Sequence, residues 1–119
     1  MQYLLMLYGD ETAWDRMSEA EQGAEFGAYE TFTQSLRDAG AFVAGEALLP
    51  TTTAQTVRVQ GDETIVTAGP YAETAEQLGG YYLIEAADLD EAIAAAARIP
   101  AARTGTVEVR PLTQSRVEA

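Results

Sequence analysis

The sequence of 119 residues contains no cysteine, no histidine and no lysine. Without cysteine the chain has no disulfide, no thiolate nucleophile and no sulfur ligand for zinc. Without histidine it lacks the most common general base and metal ligand, and it cannot form a Ser-His-Asp triad. Without lysine no side chain can form a Schiff base. Any chemistry must use carboxylates, tyrosines, arginines, hydroxyls or backbone amides, and we expect no transition metal and no cofactor.

Basic residues are also scarce, since seven arginines face nineteen acidic residues and the formal net charge is −12 at pH 7. Such a surface repels a phosphate backbone, so we do not expect nucleic-acid binding. No run of 18 apolar residues is present, which argues against a membrane span. The first residues enter a short apolar run without the basic segment of a signal peptide, so we expect a cytoplasmic protein.

Two runs of the sequence are apolar at every position and predict strands that are buried on both faces. These runs are Tyr3–Tyr8 and Tyr81–Ile84, and strands of this kind lie in the middle of a sheet. Four further strands are predicted at residues 41–49, 56–59, 64–67 and 106–110. The pair at 56–59 and 64–67 alternates around a polar turn, which is typical of a hairpin with one solvated face.

Two helices are predicted between the strands. Ser18 and Glu21 form a capping box at the start of the first helix, and Gly40 suits the left-handed position that ends it. Asp88 caps the second helix, which Ile99–Pro100 ends. Helical spacing predicts one buried face on the second helix, made of Leu89, Ala92, Ile93, Ala96 and Ala97. Truncating Ile93 to alanine should then cost about 2–5 kcal/mol.

The predicted order is β-α-β-hairpin-β-α-β, which is typical of an α+β, ferredoxin-like split βαβ fold with an inserted hairpin. We expect one domain over residues 1–112 and a polar tail at residues 113–119. Right-handed crossovers place both helices on one side of the sheet. The other side still carries apolar residues, and such a patch is rarely exposed on a monomer. We therefore predict a homodimer in which these sides meet.

The segment from Ala68 to Glu85 resembles the DGPF-type branch of the YCII-related proteins. The resemblance extends over about residues 1–112, through further matching segments at 3–8, 39–40, 49–50, 88–92, 97–100 and 107–111. Two departures stand inside the motif, because its Asp and Phe are replaced by Ala68 and Tyr71. A lysine common before the motif's second acid is replaced by Ala75.

The resemblance implies a ferredoxin-like fold and a dimeric α+β barrel. Some YCII-like members are enzymes that act on small molecules, such as chlorinated aromatics, through a His-Asp pair. This chain has no histidine, so that mechanism does not apply to it. Other DGPF-type members resemble accessory proteins associated with extracytoplasmic-function sigma factors.

The same segment supplies most of the candidate ligand-binding residues. Gly69 and Pro70 predict a turn, whose backbone amides near Tyr71 could also line a small pocket. Glu73 is a candidate general base or cation-binding group, and with Glu76 it would lie on one face of a helical turn. Acids that the helix dipole favours at a helix N-terminus are the simpler explanation of both.

Other candidates lie outside this turn. Tyr8 ends a central strand, where it serves either as a core aromatic or as a site tyrosine with catalytic potential. Arg110 could pair with Glu108 or Glu46, or clamp a ligand carboxylate. Gly79–Gly80 predicts a bulge or a close strand approach.

Two functions follow from the sequence and the resemblance. The first is a small-molecule-binding or accessory module, regulatory in the sigma-factor-associated sense, which binds a small apolar or aromatic ligand. The alternative is a small-molecule enzyme, similar to a lyase, dehydrochlorinase or isomerase. It would use a carboxylate or tyrosine, Glu73 or Tyr8, as acid or base.

Overall fold

The computed structural model describes residues 1–113, so most of the predicted tail lies outside the described residues. The first half contains β1 (Gln2–Gly9), α1 (Ala13–Arg16), α2 (Glu19–Asp38), β2 (Phe42–Ala47) and a 3₁₀ turn (Thr51–Thr53). The second half contains β3 (Gln55–Gln60), β4 (Glu63–Ala68), β5 (Gln77–Glu85), α3 (Leu89–Ala97), α4 (Ala101–Thr104) and β6 (Thr106–Pro111). The short helices α1 and α4 and the 3₁₀ turn were not predicted.

Four strands form an antiparallel sheet in the order β2-β5-β1-β6, with the two apolar strands β1 and β5 in the middle. Both helical crossovers join strands that are separated by one antiparallel neighbour. This is the ferredoxin-like α+β fold, and the prediction is confirmed. The inserted hairpin β3–β4 forms a separate two-stranded sheet.

Helix α2 begins and ends where its capping residues predict. The Ser18 hydroxyl accepts from the N–H of Glu21 at 3.1 Å, and the Glu21 carboxylate accepts from the N–H of Ser18 at 2.9 Å. At the other end Gly40 has φ 69°, and the N–H of Ala41 donates to the carbonyl of Leu36 at 2.8 Å. These bonds satisfy backbone groups that the helix itself leaves unpaired.

The core lies between the sheet and the helices. Alternate residues of β1 and β5 are buried on this side, and α2 adds Phe32 and Leu36. The Phe32 and Tyr82 rings pack edge to face with centroids 5.1 Å apart, and the Tyr82 hydroxyl hydrogen-bonds to Thr33 at 2.8 Å. The buried apolar side chains of the sheet are those of Tyr3, Leu5, Leu7, Tyr82 and Ile84.

The opposite side of the sheet, here called the open side, is only half-buried in the single chain. Since side chains alternate along a strand, it carries Leu4 and Met6 of β1 opposite Leu83 and Tyr81 of β5. We expected both faces of these strands to be buried, but in the single chain only the face toward the helices is fully buried. Burying the open side requires a second layer.

The predicted buried face of α3 is partly wrong. Ala92 and Ala96 are buried, but Ile93 is 48% exposed and Leu89 is 46% exposed. The small alanines let the helix lie close to the sheet, and the large buried residue is Ile99, which follows the helix and is 1% exposed. Ile93 lies about 100° around the helix from Ala92 and points away from the core.

The hairpin differs from the prediction of one solvated face. Gly61, with φ 60°, occupies the first loop position as in a type II′ turn. The valine face exposes Val57 by 60%, Val59 by 65% and Val66 by 58%, and the other face is half-buried only at Thr56 and Ile65. The hairpin therefore extends from the body of the chain as an arm.

Candidate functional site

The candidate site lies at the end of the sheet where β1 ends and where β5 and β6 begin. Tyr8 is the last side chain of β1 on the open side, with Leu78 of β5 and Thr106 of β6 opposite it. Tyr8 is half-buried. Its hydroxyl has one neighbour of hydrogen-bonding type in residues 1–113, the Met6 sulfur at 4.0 Å. A thioether is a weak acceptor, so the hydroxyl can bond to a ligand.

Gly69 and Pro70 form the predicted turn, and its backbone bonds close the base of the hairpin. Gly69 has φ 109°, a conformation that residues with a Cβ rarely adopt. Its N–H donates to the carbonyl of Ala54 at 2.8 Å. Its carbonyl accepts from the Thr56 hydroxyl at 2.7 Å.

Tyr71 and Glu73 lie on the surface of the loop that follows. Tyr71 is 86% exposed and Glu73 is exposed as well. No hydrogen bond in residues 1–113 joins either side chain to Tyr8. The interpretation that Glu73 and Glu76 share a helical turn is wrong, because residues 69–76 contain no helix. Glycine, proline and the backbone bonds of the hairpin base favour an irregular loop here.

Glu76 and Gln77, rather than Glu73, hold this loop against the sheet. Glu76 accepts a hydrogen bond from the Thr106 hydroxyl at 2.8 Å. The Gln77 amide oxygen accepts from the N–H of Glu11 at 3.1 Å, and its amide nitrogen donates to the carbonyl of Thr74 at 2.7 Å. Both side chains are half-buried.

Glu11, which follows β1, is a structural residue. Its carboxylate accepts from the N–H and the hydroxyl of Thr51. The partners are 40 residues apart, so no local spacing signals the contact. A carboxylate directly after a central strand was the one available hint.

Gly79 and Gly80, beside this site, have the two roles that were predicted for them. Gly79 lies at a register shift between β1 and β5, which is the bulge. A Cβ on Gly80 would come within 2.9 Å of the carbonyl oxygen of Glu46, which is the close strand approach.

Comparison with known proteins identifies the family of the chain. The family model of the YCII-related domain matches residues 1–116. The chain belongs to the YCII-related family. An uncharacterized protein of Rhizobium meliloti (strain 1021) is 40% identical to it over 114 residues, which cover 94% of this chain and 92% of the relative.

Two other surface features of this YCII-related chain lie away from Tyr8. A shallow depression of about 440 Å³ runs along α2 between Phe26 and Arg37, and one of about 230 Å³ lies between α2, α3 and Ile84. The Tyr8 end itself is open rather than enclosed in the single chain. Among residues 1–113 no helix is long and apolar enough to cross a membrane. No cluster of three acidic side chains in that range is arranged to hold a metal ion.

Electrostatics at the sheet end come from short local pairs. Hydrogen bonds from Thr12 and Arg16 lower the pKa of Asp10 to about 2, and the Arg16–Asp10 distance is 2.9 Å. Arg110 pairs with Glu108 on β6 at 2.6 Å, as one of its predicted roles requires. Arg110 lies opposite Leu4 at the rim of the open side, and its role toward a ligand stays a prediction.

Proposed function

We propose that this YCII-related chain is a cytoplasmic small-molecule-binding or accessory module that acts as a homodimer. The observation that carries the proposal is the open side of the sheet. Its centre is apolar, with Leu4 and Met6 opposite Leu83 and Tyr81. Its rim is charged, with Glu46 beside Tyr81 and Glu108 beside Met6.

Two such sides packed face to face form a dry centre with polar borders, the usual composition of a stable interface. The family resemblance supports the same arrangement, a dimeric α+β barrel. In that arrangement the Tyr8 end becomes a cleft rather than an open surface. An accessory role beside an extracytoplasmic-function sigma factor is compatible with this dimer, because that role does not require the acidic chain to bind DNA.

The ligand is a small apolar or aromatic molecule. Tyr8 supplies an aromatic wall and a hydroxyl, while the nearby loop supplies Tyr71 and the Glu73 carboxylate. Apolar walls with a few polar groups are typical of small-molecule sites. Loops beside a rigid sheet are where such groups concentrate.

The proposal is tested by NMR titration of ¹⁵N-labelled protein with phenol, benzoate and 4-hydroxybenzoate. We expect shifts at Tyr8, at Gln77 and in the Gly69–Glu76 loop. Three variants are compared with the native chain: Tyr8→Phe, which removes the hydroxyl, Glu73→Gln, which removes the charge, and Ala68→Asp, which restores the motif's acid. Shifts confined to the depression along α2, unchanged by all three variants, would place the ligand elsewhere and contradict the proposed site.

The second candidate is an enzyme, favoured by the weakly bonded Tyr8 hydroxyl. A phenol without a strong partner is available as an acid or base. Chloride release from small chlorinated aromatics measures this activity directly. Release at the same rate in the native chain and in the Tyr8→Phe and Glu73→Gln variants would remove this candidate.

A further inference from the structure

The hairpin arm, β3–β4, is poorly covered by the rest of residues 1–113. Within residues 1–113 its extensive packing is confined to one strand against the other. A two-stranded hairpin alone is marginally stable in water. The radius of gyration is 16.4 Å, against about 13.5 Å for a compact chain of this length. The arm is thus a regular element whose own contacts are too few to make it stable in isolation.

One face of the arm carries its three valines, and the other face is mostly polar. Val57 lies directly opposite Val66, and Val59 lies opposite Thr64 on the same face. The other face carries Thr56, Arg58, Gln60 and Thr67 together with one apolar residue, Ile65, which is half-buried. An exposed valine face on an otherwise acidic chain indicates a surface that is buried in an assembly.

Both roots of the arm are fixed to the end of β1 through side chains. Glu11 binds Thr51 before β3, and Gln77 binds both the N–H of Glu11 and the carbonyl of Thr74 after β4. The arm is therefore held in a defined direction from the same end of the sheet at which Tyr8 lies. A fixed element with an uncovered apolar face suits a permanent contact.

Matching apolar surface is present on the same chain. Leu78, opposite Tyr8, is 37% exposed. Leu48 donates its N–H to the carbonyl of Gly79 at 2.9 Å and is 47% exposed. Each strand of the arm has six residues and is about 20 Å long, the width of a four-stranded sheet. The arm can thus span the end of a neighbouring sheet.

We infer that the valine face of the arm packs on a second copy of this chain, against the end of its sheet at Leu48 and Leu78. Two-fold symmetry makes the contact reciprocal, so each Tyr8 end is completed by the partner's arm. The inference rests on the proposed homodimer and adds the element that closes its cleft.

The chain contains no cysteine, so a Gln60→Cys variant carries a single spin label at the arm tip. Labelled ¹⁴N chains are mixed with unlabelled ¹⁵N chains, so any loss of ¹⁵N signal comes from the neighbouring molecule. We expect the largest losses at Tyr8, Leu48 and Leu78.

Val66→Lys and Thr67→Lys form a matched pair, since they place the same charge on adjacent exposed residues of opposite faces. Dimer dissociation should rise at least about tenfold for Val66→Lys and less than about threefold for Thr67→Lys, because an unpaired charge is costly only where it is buried.

The outcomes separate this inference from the proposed dimer. A stable dimer without signal loss at the sheet end overturns the arm contact and leaves the homodimer intact. The same conclusion follows if the two lysine variants dissociate equally. A 12.8 kDa monomer at every concentration in sedimentation overturns both. Signal losses at the sheet end together with a specific effect of Val66→Lys support the arm contact without relying on the fold of any one variant.

Discussion

The Glu11 carboxylate accepts two hydrogen bonds from one residue, from the N–H of Thr51 at 3.0 Å and from its hydroxyl at 2.5 Å. This pair connects the end of β1 with the segment that leads into the hairpin arm. Hydrogen bonds to an ionised carboxylate are stronger than those between neutral groups. The direction of the arm therefore depends in part on a side chain that lies outside it.

Glu11→Gln should loosen the arm without unfolding the sheet. The variant keeps the side-chain length but loses the charge that strengthens both bonds, so we expect a loss of about 1–2 kcal/mol in the free energy of unfolding. Amide hydrogen exchange should accelerate in β3 and β4 more than in β1 and β5. Asp15→Asn, at an exposed acid of α1, is the control and should change neither. Uniform acceleration across the whole sheet would show that Glu11 stabilises the core and not the arm.

Met6→Asp should dissociate the proposed dimer. Met6 lies at the centre of the open side, opposite Tyr81 and Glu108, where a carboxylate would be buried beside another acid. Sedimentation equilibrium should show the monomer mass with unchanged far-UV circular dichroism. Leu89→Asp, at a 46% exposed apolar residue of α3, is the control and should remain dimeric. A Met6→Asp dimer as tight as the native one would exclude the open side from the interface.

Two isoleucines, Ile93 in the middle of α3 and Ile99 just after it, provide a matched test of burial. Ile99 is 1% exposed and Ile93 is 48% exposed. Ile99→Ala should lower the free energy of unfolding by about 2–5 kcal/mol, because it deletes a buried aliphatic chain. Ile93→Ala should lower it by about 1 kcal/mol or less, as at partly exposed positions. Urea unfolding measures both, and equal losses would mean that the orientation of α3 is wrong.

Ile93 and Ile99 also show which part of the fold the sequence did not predict. The strand order followed from two runs apolar at every position, and the bounds of α2 followed from Ser18, Glu21 and Gly40, because capping acts over a few residues. The buried face of α3 did not follow. In an alanine-rich helix the spacing of Leu89 and Ile93 mimics an apolar face, and the packing of the sheet decides which side is buried.

The candidate site was predictable only in part, for a similar reason. Gly69–Pro70 predicted its own turn because the signal is local. The bonds that place this turn against the sheet join Glu11 to Thr51 and Glu76 to Thr106. These partners are far apart in the chain, and no periodicity links them.

The stability of the protein should fall at alkaline pH because the contribution of Tyr29 is lost there. Burial, with smaller effects of Glu25 and Tyr82, raises the pKa of Tyr29 to about 12 from its ordinary value of 10.0. The unfolded chain then loses this proton first as the pH rises, so the stabilising contribution is complete below about pH 10 and is lost toward about pH 12. Tyr29→Phe should flatten the fall of the urea midpoint over this range. Tyr71→Phe, at an 86% exposed ring, should leave it unchanged. A slope that is identical in native and Tyr29→Phe protein would refute the assignment.

Gly105 allows β6 to begin directly against the end of β1. A Cβ at this position would lie 2.1 Å from the carbonyl oxygen of Tyr8 and 3.1 Å from the Cα of Gly9. Both neighbours are backbone atoms, so a side chain cannot be accommodated by a rotamer change. The position of Tyr8 on the open side therefore depends on a residue without a side chain.

Gly105→Ala should separate β6 from β1 at Tyr8 and destabilise the fold by about 1–3 kcal/mol, the range for overpacking. The largest amide shifts should occur at Tyr8, Gly9 and Thr106, and any ligand response of Tyr8 should weaken with them. Gly27→Ala is the control with the opposite sign. Gly27 lies inside α2, and a Cβ added there would meet no side chain or other segment beyond its chain neighbours within 4 Å, so alanine should stabilise by about 0.5–1 kcal/mol. Urea unfolding and ¹⁵N spectra measure both. If Gly105→Ala matches the control in stability and leaves Tyr8 unshifted, the close approach does not position the site.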